Sequence, residues 1–218
     1  LPAGPTLIPD ACEMWNAQMR PVEGFYVEDA NGTIFAVKGI LHPRDKYIVV
    51  PRYVPDEGGE RWNGERRYRK ISSAGYKLSM DDWPRLKYRD PYLGVELLAI
   101  GAKDVVRTYD PMRGLGELRR GPRSILHRAC ASLIERLERG GVRGEQLGIS
   151  GSLLLGLERA DSDVDLVIYG RAQGRRAIDV LHRLRAEGDT APLEGAPNPM
   201  GIPAAIHLAH ERRKLLKG

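Results

Sequence analysis

Between Leu147 and Gly170 lies the pattern that leaves this chain the fewest folds to choose from. Leu147 and Ile149 alternate with small residues and read as a short strand. That strand runs into Gly151-Ser152, and 153–157 reads as a short apolar helix. Ser162-Asp163-Val164-Asp165-Leu166 then opens a second alternating stretch, in which Val164, Leu166 and Ile168 interleave with Asp163, Asp165 and Val167 before Gly170 ends it. Successive side chains on a strand point to opposite faces, so Asp163 and Asp165 project from the same one, with α-carbons ~6.5–7 Å apart. Two like charges held that close repel each other, and a divalent cation relieves the repulsion. Mg²⁺ suits the pair because it takes oxygen ligands and keeps substrate phosphates in its shell.

The Gly-Ser pair complements the acids. It stands between a strand end and a helix start, where free backbone N–H groups and the positive end of the helix dipole favour an anion. Gly151 lets the backbone come close to a phosphate, and the Ser152 hydroxyl is a donor to it. Phosphoryl and nucleotidyl transfer depend on positioning and charge neutralisation more than on covalent chemistry. Either half of the pattern alone is weak, since Asp-x-Asp is usually two solvated acids and Gly-Ser is usually a turn. In this order and on neighbouring elements they form a specific combination.

The rest of the chain divides around this window. Residues 1–20 are Pro-rich and read as an arm or linker. Residues 21–110 read as a β-rich basic unit, and 115–218 as an α/β domain. Within the first unit, Phe25 to Val37 reads as a hairpin, with Asn31-Gly32 suited to a type I′ turn. Tyr47 to Val50 is another short apolar run, Val95 to Ile100 reads as a strand or short helix, and Asp110-Pro111 as a turn. In the second, a helix opening at Gly121-Pro122 carries Ile125, Leu126, Ala129, Cys130, Leu133, Ile134 and Leu137 on one face and stops at Gly140-Gly141. Residues 175–186 read as a helix with Ile178, Leu181 and Leu184 inside, and 204–217 as a basic terminal helix.

Composition narrows the function classes. The net charge of +5 is compatible with phosphate-bearing partners without demanding them. No run approaches the ~18–20 apolar residues of a membrane span, and no secretory signal is legible at the N-terminus. The two cysteines, Cys12 and Cys130, have no metal-ligand spacing, and a reducing cytoplasm is the expected compartment. Cys130 is expected in the core. The five histidines show no metal-binding spacing, and His207 and His210 read as surface. Arg61, Arg66, Arg67, Arg69 and Lys70 surround Trp62 and Tyr68, a mixture that suits RNA, with rings for bases and cations for phosphates. Its competing reading is a solvated strand face. Residues 211–217 form a second basic patch, with a charged terminal helix as the alternative.

Gly151-Ser152 with Ser162-Asp163-Val164-Asp165-Leu166 resembles the signature of the polymerase beta-type nucleotidyltransferases. More closely, the chain resembles archaeal predicted nucleotidyltransferases of unassigned substrate, through Ile34-Phe35-Ala36-Val37-Lys38-Gly39, His42-Pro43 and Arg52-Tyr53 as well as the motif. The resemblance covers about residues 22–187. It implies a nucleotidyltransferase-fold mixed sheet flanked by helices, Mg²⁺ at Asp163 and Asp165, and an NTP on Gly151 and Ser152. The implied reaction passes a nucleoside monophosphate to a hydroxyl on an RNA end, a protein or a small molecule. The family's active enzymes add a third carboxylate on a later strand. After Gly170 nothing reads as such a strand: Asp179 falls in a helix, and Asp189 and Glu194 in loop-like sequence. That departure keeps open a second class, a non-catalytic RNA- or ribosome-associated protein that retains the fold.

Overall fold

An aspartate, rather than the expected Asn-Gly pair alone, shapes the first turn. The computed structural model describes residues 20–71, 80–122, 124–160 and 162–190. The expected arm up to residue 19, the 204–217 helix, Cys12, Glu194, His207 and His210 lie outside these, while Arg20, the arm's last residue, donates to the Pro43 and Lys46 carbonyls at 2.7 Å each. Strands β1 (Tyr26–Asp29) and β2 (Ile34–Val37) pair antiparallel, with Val27 opposite Phe35. A type I′ turn needs two residues at positive φ. Here only Gly32 has it, at +81°, and no described non-glycine residue does. The Gly32 N–H donates to the Asp29 carbonyl at 2.9 Å, while Asp29 Oδ1 accepts from the N–H groups of Asn31 and Thr33 at 3.0 and 2.8 Å. The Asp29 carboxylate thus stabilises a longer loop closed by a glycine in the left-handed region.

The chain continues through β3 (Lys46–Pro55), β4 (Arg61–Trp62), β5 (Arg67–Lys70), β6 (Lys87–Arg89), β7 (Glu96–Gly101) and β8 (Val105–Tyr109). They form one antiparallel sheet in the order β4-β5-β3-β2-β1-β8, with β7 pairing both β3 and β6. The stretch around Val95 that left strand and helix open is strand. Period-2 alternation sorts the sheet's side chains between two cores. Val27, Phe35, Val37, Val49, Leu98 and Ile100 gather with Tyr169. Tyr26, Ile34, Ala36, Tyr53, Tyr68 and Tyr109 gather with Leu155 and Leu157.

Asp110-Pro111 is a helix start instead of a turn. Helix α1 (Pro111–Arg120) has Asp110 as its N-cap, accepting from the N–H groups of Met112 and Arg113 at 2.8 and 3.3 Å. The same dipeptide serves both purposes because proline's fixed φ fits the first helical position. Gly114 weakens the helical signal locally, yet it is needed: a Cβ there would stand 2.3 Å from Leu154 Cδ1. Asp110→Ala is expected to lower stability by about 1 kcal/mol, measured by chemical denaturation.

Helix α2 (Ile125–Arg139) starts later than Gly121-Pro122 suggested, at a Ser124 cap whose Oγ accepts from the His127 N–H at 3.1 Å. Cys130, Ile134 and Leu137 are fully buried, whereas Ile125 is 79% exposed. Burial pushes the Cys130 thiol up to about 11, as befits a core residue. Strand β9 (Leu147–Ser150), the short helix α3 (Gly151–Leu155) and β10 (Asp165–Ile168) follow, with β9 and β10 antiparallel. Helix α4 (Arg171–Ala186) begins earlier than predicted and buries Gln173, Ala177, Val180 and Leu184. Ile178 and Leu181, expected inside, are exposed; Val180 takes their place because it packs against the glycine that ends α2. The result is a mixed α and β chain with a large antiparallel sheet and several helices. Among the described residues no helix is long and apolar enough to cross a membrane.

Candidate active site

Strand register builds the site. β9 ends at Ser150, and Asp165, the first residue of β10, pairs directly with it. Gly151 turns the chain into α3 with a φ of +63°, a conformation that costs an L side chain energy but not glycine. The space where its Cβ would stand is taken: Asp165 Oδ2 would lie 2.0 Å away. The carboxylate therefore sits directly over the glycine of the Gly-Ser pair. Asp163 lies outside the ladder, because β10 begins two residues after it. Burial still alternates through the segment. Asp163 and Asp165 are exposed, while Val164 and Leu166 are partly buried against the core formed by α1, α2, β9 and α4. Both acids thus face away from that core.

The Gly-Ser pair is less open than its partners. Ser152 is only 7% exposed, and its carbonyl closes α3 by accepting from the Gly156 and Leu157 N–H groups. Ser150 Oγ donates to the Gly24 carbonyl at 2.9 Å and shares a hydrogen bond with the Tyr26 phenol.

The sheet brings residues that motif reading missed. Burial raises the Tyr26 phenol above its ordinary pKa; the positive Arg52 opposes this, and the negative Asp165 adds to it. Burial likewise pushes Tyr53 up to about 12, with Tyr26, Arg61, Arg52 and Asp165 all acting on it. Two tyrosines, two arginines and Asp165 therefore share one electrostatic neighbourhood across the junction of sheet and motif. Alternation along β3 makes Val49, Pro51 and Tyr53 its buried positions. Only the register shift between Ile34 and Phe35 carries Tyr53 to the face of Tyr26 instead of that of Val49, so alternation alone does not place it here.

Other residues are not part of this cluster. Asp179 is exposed on α4, and Asp189 pairs with Arg136 Nη1 at 2.6 Å beyond the end of α4. Among the described residues no group of three His, Cys, Asp or Glu side chains comes together. In the basic segment 61–70, Tyr68 is a core residue at 2% exposure, so it is not free to stack on a base. Arg69 is tied to Asp56 at 2.9 Å. Trp62 remains 52% exposed, with the Arg67 guanidinium 5.8 Å from its ring centre.

No protein-family model matches the chain, and no solved structure matches it. It is similar to the uncharacterized protein MJ1086 of Methanocaldococcus jannaschii, with 32% identity over 181 residues. That alignment takes in 77% of this chain and 53% of the relative, so the chain spans about half the length of the protein it matches.

Proposed function

We propose that the chain is a nucleotidyltransferase that passes a nucleoside monophosphate from an NTP to a hydroxyl acceptor. The observation that carries this reading is the seating of the Asp165 carboxylate on Gly151, which sets a metal-type acid beside a glycine-opened turn. Asp163 and Asp165 fit Mg²⁺, which typically takes one or two protein carboxylates and completes its shell with phosphates and water. Bound there, the ion would supply neutralisation of the charge on the triphosphate. The acids orient the phosphate end of the substrate. Glycine at 151 leaves the room that the Asp165 carboxylate takes at the turn, and Arg52 adds positive charge on the sheet side. In the reaction the acceptor oxygen forms a bond to the α-phosphorus, the bond to the pyrophosphate oxygen breaks, and the hydroxyl proton is lost to solvent or to a base.

A second reading, an RNA- or ribosome-associated binding module of the same fold, draws on the exposed Trp62 and its neighbouring Arg67. One experiment separates the two. The chain is incubated with Mg²⁺ and each of the four NTPs, labelled at the α-phosphate, together with cellular RNA and protein. Stable label in either fraction supports transfer and identifies the acceptor class. Retention of RNA on the folded chain with no label from any NTP supports the binding module and overturns transfer.

A further inference from the structure

Asp163 precedes β10, so pairing with β9 does not hold it, and some other contact must set its distance from Asp165. The residue before it supplies one. Arg61, in β4, donates from Nη1 to Ser162 Oγ at 3.0 Å and to the Leu157 carbonyl at 3.0 Å. Ser162 Oγ also accepts from the Arg159 N–H at 2.9 Å, and the Ser162 N–H donates back to the Arg159 carbonyl at 3.0 Å. A single guanidinium nitrogen thereby spans both ends of the loop 157–162 that joins α3 to β10. The Arg61 side chain is only 12% exposed. Its nearest carboxylate, Glu60, is 3.8 Å away, and its buried Nε has no hydrogen-bond partner among the described residues. Withdrawing a guanidinium from water for so few contacts is unfavourable as a stability device. Its rigid planar fork does, however, fix direction as well as distance.

We propose that Arg61 is the positioning residue of the acid pair: by tying Ser162 to β4 it sets where the Asp163 carboxylate stands relative to Asp165. The sheet thereby takes part in building the cation site without touching the cation. This rests on reading Asp163 and Asp165 as ligands of a divalent cation, and the experiment separates a failure of either idea. Mn²⁺ binding to the full chain is followed by electron paramagnetic resonance for the parent, Asp163→Asn/Asp165→Asn, Arg61→Lys, Ser162→Ala and the Arg61→Lys/Ser162→Ala double variant. Thermal unfolding of each is recorded separately. Arg61→Lys is expected to weaken Mn²⁺ binding about tenfold, as for loss of one hydrogen bond from a charged group. Ser162→Ala should weaken it similarly, and the double variant no further, because all three break one tie. If Arg61→Lys fails to fold, Ser162→Ala, which keeps the contact to Leu157, decides alone. Parent-like affinity in the folded single variants, or effects that add in the double, would overturn the positioning role while leaving the two-acid site standing if the Asn variant has lost binding. A parent chain that takes up no Mn²⁺ at millimolar concentration would overturn both.

Discussion

Replacing Asp163 and Asp165 together by Asn is expected to lower Mg²⁺-dependent nucleotidyl transfer on the order of a thousandfold. Metal ions contribute several kcal/mol of charge stabilisation in such reactions, and each ~1.4 kcal/mol is a factor of ten in rate. Asn keeps the shape of Asp but removes the charge that a hard cation requires. Both side chains are exposed, and neither belongs to an apolar cluster. The fold is therefore expected to survive, with stability changed by no more than ~0.5 kcal/mol, the usual range for surface substitutions. The sign can even be favourable, because the substitution removes a repulsion between neighbouring carboxylates. Initial rates and denaturation curves on the same preparations check both halves of this. A variant that transfers nucleotide at the parent rate would remove these residues from the chemistry.

Gly151→Ala is expected to damage stability and activity together. The backbone there has a φ of +63°, and the new Cβ would stand 2.0 Å from Asp165 Oδ2. The left-handed conformation alone costs an L residue ~1–2 kcal/mol. The overlap must also be relieved by moving the carboxylate, and a misplacement of about 1 Å costs on the order of a hundredfold in rate. Gly156 provides the comparison. It has nearly the same φ, +65°, but nothing lies within 4 Å of the position its Cβ would take. Gly156→Ala should thus lose a comparable ~1–2 kcal/mol and retain the parent transfer rate. Denaturation midpoints and initial rates for the two variants test whether proximity to Asp165, rather than backbone strain, is what matters. Equal loss of rate in both would count against the carboxylate's seat on Gly151.

Much of the local structure was legible in the residues themselves. The Ile134–Leu137 face of α2, the alternation of β9 and β10, and the glycines that end α2 all follow from backbone periods and φ preferences acting over a few residues. The misjudged elements share a cause. Asp110-Pro111 is locally ambiguous between turn and helix cap, and the choice falls to packing of Leu115 and Leu118 into the core. Ile178 and Leu181 look like core positions by spacing, but Gly140 leaves room for Val180, and that contact sets which face of α4 turns inward. At Asn31-Gly32 the nearby Asp29 carboxylate outweighed the dipeptide preference.

For the candidate site the division is similar. The amino-acid order by itself determined that two acids two residues apart follow a Gly-Ser turn, and that alternation sends both to one side. It could not show that Asp165 rests on Gly151, because that depends on the register in which β10 meets β9. Nor could it bring Arg61 to Ser162, 101 residues away, or Tyr26 and Tyr53 into the field of Asp165. Those meetings exist because the sheet's tyrosine face buries Leu155 and Leu157 beside the motif. Hydrophobic burial is non-directional and acts between segments far apart in the chain, so its outcome is decided by the assembled surfaces and not by any short stretch of residues.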